Sequence, residues 1–193
     1  MARYGSYIDV SRCIGCYTCA VACKNWYRIE AGKGARIKIR EVIKGKYPKV
    51  SYWIFPTRCM HCDNPSCVPV CPTQALYTRK DGIVALDEKK CTGCKSCLSA
   101  CPYQAPYFDQ KKGVVDKCDL CAERIDSGLK PYCMESCAGA AMIFGDLDEP
   151  NSEISKLIVS EKAFTLSSQL GTGPKVYYAN MTRAVNPFPK KMP

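Results

Sequence analysis

Residues 91–102 have the sequence CTGCKSCLSACP, in which the last of four cysteines is followed at once by a proline. The cysteines are Cys91, Cys94, Cys97 and Cys101, so the motif is C-x2-C-x2-C-x3-C-P. This spacing is typical of a bacterial-type 4Fe–4S site, in which three thiolates bind one cluster and the fourth reaches a second cluster. The stretch therefore predicts a ferredoxin-like loop that needs a partner loop elsewhere in the chain.

The same pattern organises the whole chain of 193 residues. Its 16 cysteines fall into four groups of four, each opening with C-x2-C and closing with C-x3-C. The groups are Cys13, Cys16, Cys19 and Cys23; Cys59, Cys62, Cys67 and Cys71; Cys91, Cys94, Cys97 and Cys101; and Cys118, Cys121, Cys133 and Cys137. No cysteine is left over, which predicts four 4Fe–4S clusters held by cysteine alone.

Two other uses of cysteine fit the sequence less well. A secreted disulfide framework favours a short chain behind a signal peptide, and residues 1–12 have neither an apolar core of the needed length nor a twin arginine. A tetrahedral zinc site takes its ligands in two pairs rather than in runs of four. Cubane clusters with complete thiolate ligation have no open coordination position, which favours electron transfer over chemistry on a substrate.

The net charge changes its meaning once clusters are counted. The formal value is +10 with neutral cysteines. Sixteen thiolates around four cores of charge 2+ would contribute about −8 and leave the protein near +2. The basic residues therefore indicate compensation of cluster charge rather than a nucleic-acid partner. No stretch approaches 18 consecutive apolar residues, so we expect no membrane span in this chain.

Each cysteine group is preceded by a predicted strand. These strands are Tyr4–Val10, Val50–Phe55, Ile83–Leu86 and Val114–Val115. Asp81-Gly82 predicts a hairpin turn between residues 76–78 and 83–85, and Lys112-Gly113 has the same place one repeat later. The repeating unit is strand, cysteine loop, short helix and strand, and two such units make one ferredoxin-like module with two clusters.

The parts without cysteine separate or follow these units. The alternating segment Arg36–Ile43 predicts a half-exposed strand that returns through Lys49–Phe55 as a hairpin with a basic face. Towards the end of the chain, Asn151 or Ser152 caps a predicted helix from Glu153 to Glu161. Residues 176–178 predict an edge strand, and residues 186–193 predict an extended end. The segment 146–193 as a whole is predicted to be a tail that lies along a neighbouring surface, its own or a partner's.

The predicted class is α+β, with two bacterial-ferredoxin-like modules, a β-hairpin insertion and an extended C-terminal tail. The first module takes residues 1–23 and 102–145, and the second takes residues 56–101. The insertion is residues 24–55, and the tail is residues 146–193. Adjacent pairing of the groups, first with second and third with fourth, is possible. The short separation Pro72–Lys90 favours the nested alternative, with second paired to third and first to fourth.

The chain resembles the four-cluster electron-transfer subunits of the complex iron–sulfur molybdoenzymes, such as the polysulfide, thiosulfate, arsenate and dimethyl sulfoxide reductases. The resemblance covers nearly the whole chain. It rests on YIDVSRCIGCYTCAVACK, CMHCDNPSCVPVCPTQAL, CTGCKSCLSACPYQAPYF, CDLCAERIDSGLKPYCMESC, GDLDEP and GTGPKVYY. The resemblance implies nested pairing. Carried over by residue, the ligand sets are Cys13, Cys16, Cys19 and Cys137; Cys23, Cys118, Cys121 and Cys133; Cys59, Cys62, Cys67 and Cys101; and Cys71, Cys91, Cys94 and Cys97.

The resemblance implies partners as well as cofactors. A large molybdopterin subunit, with molybdenum or tungsten, would perform catalysis, and an integral membrane subunit would react with quinone. The chain would be membrane-associated only through that partner, on a side of the membrane that its sequence does not fix. A free-standing polyferredoxin, or the electron-transfer subunit of a hydrogenase or formate dehydrogenase, is the alternative.

Several residues near the motifs invite separate hypotheses. Some relatives replace the cysteine corresponding to Cys94 and hold a 3Fe–4S cluster, whereas this chain keeps it. His61 is the only histidine, and with four cysteines in its group we expect it beside the ligands or at the surface. Arg58, Lys90 and Lys117 each precede the first cysteine of a group, where they would raise cluster potentials or simply end exposed strands.

Overall fold

The computed structural model describes residues 2–32, 34–182 and 185–188. Its strands are β1 Tyr4–Asp9, β2 Ile37–Lys46, β3 Lys49–Arg58, β4 Leu76–Thr78, β5 Val84–Leu86, β6 Tyr107–Asp109, β7 Val114–Asp116, β8 Met142–Asp146, β9 Phe164–Thr165 and β10 Val176–Ala179. Its α-helices are α1 Thr18–Trp26, α2 Ser96–Ala100, α3 Ala122–Asp126, α4 Tyr132–Glu135 and α5 Glu153–Ser160. Within the described ranges, no helix has the length and apolar character required to cross a membrane. The mixture of short helices and strands agrees with the predicted α+β class.

A strand leads into each cysteine group, as the sequence predicts. β1 and β3 end at Asp9 and Arg58, just ahead of the first and second groups. β5 and β7 end at Leu86 and Asp116, ahead of the third and fourth groups. The four strand predictions are confirmed, and β3 continues three residues beyond the expected end at Phe55.

The predicted turn at Asp81-Gly82 joins β4 to β5, which pair antiparallel with Thr78 opposite Val84. Gly82 has a φ of +77°, which glycine adopts without the clash that a Cβ would make. The Asp81 carboxylate accepts a hydrogen bond from the backbone N–H of Ile83 at 3.1 Å, which tightens the turn. β6 and β7 form the equivalent hairpin one repeat later, so both hairpin predictions are confirmed.

β2 and β3 form the long hairpin expected between the first two cysteine groups. It extends from the Ile37–Arg58 pair at its base to the Lys46–Lys49 pair at its tip. The base is buried, and Phe55 is fully enclosed there, whereas the residues at the tip are exposed. The hairpin prediction is confirmed, and its base connects the cysteine loops to the main core.

The main sheet has four strands in the order β8-β1-β10-β9. β10 is internal to this sheet, parallel to β1 with Tyr7 opposite Tyr177, and antiparallel to β9. The prediction of an edge strand at residues 176–178 is therefore wrong in its placement, although the strand itself exists. A parallel partner at the opposite end of the chain leaves no trace in a local hydrophobic pattern.

The segment after residue 145 is a folded layer rather than a tail over its described part. α5 packs against the main sheet, where Ile154 is fully buried beside Tyr7 and Ala179. Tyr178 is also fully buried, and its hydroxyl donates a hydrogen bond to the carbonyl of Pro56 at 3.1 Å. The expectation of a tail lying along a surface is corrected accordingly. Of the predicted extended end, residues 189–193 lie outside the described residues.

Helix α5 begins at a side-chain cap, and the structure decides between the two predicted candidates. The hydroxyl of Ser152 accepts a hydrogen bond from the backbone N–H of Ser155 at 3.2 Å, so Ser152 is the N-cap. We expect Ser152→Ala to lower the free energy of unfolding by about 1 kcal/mol, because one N–H of the first turn loses its acceptor. Denaturant unfolding measures this loss. Asn151→Ala is the matched control, and an equal loss in both variants would contradict the assignment of the cap.

Candidate iron–sulfur sites

The four cysteine groups share a backbone conformation as well as a spacing. In each group the residue before the second cysteine has a positive φ: +67° at Gly15, +45° at His61, +70° at Gly93 and +59° at Leu120. Glycine adopts this conformation freely, whereas His61 and Leu120 do so at a cost that their surroundings must offset. Turns of this kind direct successive backbone N–H groups into one concave space, as occurs at many Fe–S sites. The repeat inferred from cysteine spacing is therefore also a repeat of backbone structure.

One cavity lies between the first and fourth groups. The cysteines that line it are Cys13, Cys16, Cys19 and Cys137. Helix α1 begins at Thr18 and positions Cys19 in its first turn. The backbone N–H of Ala141 donates to the sulfur of Cys137 at 3.3 Å. The structure thus brings three thiols of one group together with the last thiol of another.

A second cavity has the same construction at the other end of the repeat. Its cysteines are Cys71, Cys91, Cys94 and Cys97. Helix α2 begins at Ser96 and positions Cys97 in its first turn. The backbone N–H of Val115 donates to the sulfur of Cys91 at 3.5 Å. The same three-plus-one composition indicates the same kind of occupant in both cavities.

The remaining eight cysteines are buried or half-buried, and their electrostatic neighbours combine different groups of the sequence. Burial, together with the neighbouring Cys133 and Cys121, raises the pKa of Cys23 to about 12. Burial also raises the pKa of Cys62, and its neighbours Cys59, Cys101 and Cys67 add to the effect. Cys118 is enclosed next to Cys23, and its own sulfur accepts from the backbone N–H of Leu120 at 3.4 Å. Each of these sets of neighbours again combines cysteines from two different groups of the sequence.

The basic residues that precede the motifs have different environments. Arg58 is 4% exposed and Lys117 is 2% exposed, so both are core residues. Lys117 donates to the backbone carbonyls of Val84 and Cys118. Lys90 has a side chain that is 63% exposed and lies 3.9 Å from Asp87. The expected exposure holds for Lys90, which lies in a turn after β5 rather than at a strand end, and is wrong for Arg58 and Lys117.

His61 is buried beside the second group, so the surface alternative is wrong for this residue. Its Nδ1 accepts a hydrogen bond from the backbone N–H of Val84 at 3.2 Å. Burial lowers the pKa of His61 well below its ordinary value, and the nearby cations Lys117 and Arg58 lower it further. The ring is therefore neutral and carries its proton on Nε2, which has no hydrogen-bond partner within the described residues.

The stretch 171–175 contributes to the sites in a way that sequence reasoning missed. Its backbone pairs with the second cysteine loop, where the N–H of Asp63 donates to the carbonyl of Gly173 at 2.8 Å. Lys175 is buried, with its ammonium 3.2 Å from the Asp63 carboxylate and 2.6 Å from the carbonyl of Gly82. Thr172 hydrogen-bonds the hydroxyl of Tyr103 at 2.7 Å, beside Cys62. Because this segment is distant in sequence from the second group, only the fold reveals the contact.

The residues at these sites fit 4Fe–4S clusters in several respects. All 16 cysteines are free thiols, and thiolate is the ligand that such clusters take. In the described ranges, no group of three histidine, cysteine or acidic side chains is arranged to hold a single metal ion. The thiols of two of the sets instead border cavities. Buried donors near the thiols, Nε and Nη2 of Arg58 and Nε2 of His61, are also unpaired in those ranges. Sulfide and thiolate are acceptors that such donors would satisfy.

Comparison with known families matches the chain to the 4Fe–4S dicluster domain. One family model with this description matches residues 50–147, and a second model with the same description matches residues 12–75. The two matches overlap, and together they extend over all four cysteine groups. Two matched dicluster domains agree with the predicted pair of ferredoxin-like modules.

Individual relatives match over almost the whole chain. A subunit of the tetrathionate reductase of Salmonella typhimurium is 40% identical, over 94% of this chain and 74% of the relative. A subunit of the sulfite dehydrogenase of Allochromatium vinosum is 36% identical, with coverages of 99% and 93%. The arsenate respiratory reductase iron–sulfur subunit ArrB of Shewanella sp. is 32% identical, with coverages of 91% and 95%. The chain therefore belongs to the 4Fe–4S dicluster family and, within it, to the iron–sulfur electron-transfer subunits of the complex iron–sulfur molybdoenzymes.

Proposed function

We propose that the chain relays single electrons through four 4Fe–4S clusters between a catalytic subunit and a quinone-reactive membrane subunit. The observation that carries the proposal is the pair of cavities in which three thiols of one group meet the last thiol of another. A bound 4Fe–4S cluster supplies a site that accepts and returns one electron. The chain's own residues hold the clusters, exclude water from the inner two and set their electrostatic surroundings.

The proposed ligand sets follow the nested pairing. Cavity composition supports the two outer sets, and electrostatic neighbours support the two inner ones. The sets are cluster 1, Cys13, Cys16, Cys19 and Cys137; cluster 2, Cys23, Cys118, Cys121 and Cys133; cluster 3, Cys59, Cys62, Cys67 and Cys101; and cluster 4, Cys71, Cys91, Cys94 and Cys97. The domain division that follows is residues 1–23 with 102–145 for clusters 1 and 2, and residues 56–101 for clusters 3 and 4.

The packing of the cysteines supports a linear order for the relay. Cys19 and Cys137 of set 1 belong to one packed cluster of side chains with Cys23 and Cys133 of set 2, and Cys62 and Cys101 of set 3 lie in the same cluster. Cys59, Cys101 and Cys118 pack together and join sets 2 and 3. Cys67, Cys71, Cys91 and Cys97 pack together and join sets 3 and 4. An electron would therefore pass through the sets in the order 1, 2, 3, 4 or the reverse.

The exposed ends of this order suit exchange with partner subunits. Cys16 and Cys94 are the two exposed cysteines, and they belong to sets 1 and 4. Apolar side chains are exposed near both ends, with Ile14 and Tyr17 beside Cys16 and Tyr77 bordering the groove at Cys71. By family, the partners would be a large molybdopterin subunit, with molybdenum or tungsten, and an integral membrane subunit that binds quinone. The relatives from tetrathionate reductase and sulfite dehydrogenase are each named as one subunit of their enzyme, which supports a role within a multi-subunit complex.

Iron and acid-labile sulfide analysis, with low-temperature EPR of the reduced protein, tests the proposal directly. We expect about 16 iron atoms per chain, four for each of four clusters. Zinc in place of iron, or iron for fewer than about four clusters, would contradict it. Purification from native membranes tests the partners, because a chain that elutes alone would be a free carrier rather than a subunit.

A further inference from the structure

Arg58 is a buried cation whose only hydrogen-bond acceptor among the described side chains is a thiol. It ends β3, directly before Cys59, and its Nη1 donates to the sulfur of Cys133 at 3.3 Å. Its Nε and Nη2 are buried and have no hydrogen-bond partner in the described ranges. Its strongest electrostatic neighbours are the thiols of Cys133 and Cys118, followed by the hydroxyl of Tyr178, and no carboxylate is among them. By contrast, buried Arg36 meets the carboxylates of Asp116 and Asp119 at 2.7 and 3.2 Å.

An arginine in this state needs a counter-charge. A buried cation without a partner is strongly destabilising, and each unsatisfied buried donor adds to the cost because it has lost its hydrogen bonds to water. The thiols that act most strongly on Arg58 are those of Cys133, Cys118 and Cys121. All three belong to the proposed second ligand set, so a cluster bound there would place negative thiolates and sulfides next to the free N–H groups.

We propose that Arg58 is the counter-ion and hydrogen-bond donor of cluster 2, and that its charge raises the reduction potential of this cluster. The inference rests on the proposed function. Reduction adds one negative charge to a cluster, and a fixed cation in a poorly polarisable interior favours the reduced state. Hydrogen bonds to cluster sulfurs act in the same direction.

Other buried cations near the clusters are less suited to this role. Lys117 has its ammonium group satisfied by two backbone carbonyls. Lys175 is paired with Asp63, and Arg36 is paired with two carboxylates, so their charges are largely balanced. Within the described ranges, Arg58 is the one of these four cations whose side chain donates a hydrogen bond to a thiol. Its effect should therefore be largest at cluster 2.

The test uses the full chain, isolated without oxygen together with any subunits that copurify. Variants Arg58→Gln and Arg58→Lys are compared with Lys90→Gln, which removes an exposed lysine at the equivalent place before Cys91. Iron per chain is measured first, and EPR-monitored redox titration then gives the potential of each cluster. We expect Arg58→Gln to lower the equilibrium constant for reducing one cluster at least tenfold, which is about 59 mV for one electron. Arg58→Lys, which keeps the charge, should shift it less, and Lys90→Gln should leave all clusters as in the wild type.

Each outcome bears on the role of Arg58. Full iron content in Arg58→Gln with unchanged potentials would overturn the proposal. If Arg58→Gln lacks iron, the Arg58→Lys variant decides between the outcomes. Full iron content and a near-wild-type potential in Arg58→Lys would support the counter-ion role of Arg58. The same loss of iron in Arg58→Lys would overturn that role. A wild-type chain without four clusters would refute the proposed function instead, and this result is distinguishable because it is obtained before any variant is compared.

Discussion

Replacing Cys71 and Cys94 together with alanine is expected to remove one cluster and leave three 4Fe–4S clusters intact. Both thiols line the same cavity with Cys91 and Cys97, although they come from the second and third groups of the sequence. A cluster that loses two of its four ligands has only two thiolates left to hold it. EPR spin quantitation of the reduced protein, with iron and sulfide analysis, measures how many 4Fe–4S clusters remain.

The matched control is the variant Cys16→Ala with Cys71→Ala. These thiols border different cavities, so two clusters should each lose one ligand and only two should remain intact. Adjacent pairing of the groups predicts the reverse result for the two variants, because Cys71 would then share a cluster with Cys16. The comparison therefore separates the two pairings even if single-ligand loss converts a cluster to a three-iron form.

The loss of cluster 4 should also break the relay at one exposed end. Cys94 is the exposed thiol of its set, and the order of packing places that set at the end of the chain of sites. Electron exchange with a partner at that end should stop, while the other three clusters still accept electrons from a small reductant. Retention of full quinone-linked turnover would contradict the linear order.

The cysteine groups and their hairpins could be predicted from the sequence because their signals are local. C-x2-C spacing, the turn at Asp81-Gly82 and the alternation in Arg36–Ile43 each occupy about ten residues or fewer. The structure confirms the strands and hairpins that these signals indicate. The ligand sets come from the resemblance, and they remain a prediction that the cavities support.

The features that sequence reasoning missed depend on contacts between distant parts of the chain. β10 pairs with β1 from the other end of the protein, so its internal position in the sheet could not be read from residues 176–178. Lys175 looks like a surface lysine after a Gly-Pro turn, yet it is buried against the second cysteine loop. The identical placement of Arg58, Lys90 and Lys117 before a motif hides the fact that only Lys90 is exposed. Burial depends on what packs over a residue, and a local pattern does not contain this information.

Removing the clusters is expected to lower the free energy of unfolding by roughly 5 kcal/mol or more, enough to unfold the cysteine-bearing part of the chain. The elements there are small: the hairpins β4–β5 and β6–β7 have strands of three residues each. Hairpins of this size are not stable alone in water. The interior also holds the unpaired donors of Arg58 and His61, which clusters would satisfy.

Hydrogen exchange and circular dichroism before and after iron chelation, with the thiols kept reduced, measure this dependence. Amides of β4 and β5 should lose protection first, because their packed neighbours Cys67 and Cys97 are proposed cluster ligands. Amides of β1 and β10 should exchange later, since Tyr7 and Ala179 pack with Ile154 in an apolar layer without cysteine. Rebuilding the clusters with iron and sulfide provides the control, because it should restore protection in both regions. Unchanged protection at Leu76–Thr78 after complete loss of iron would mean that the cavities are stable without clusters, and that packing rather than ligation holds this part of the fold.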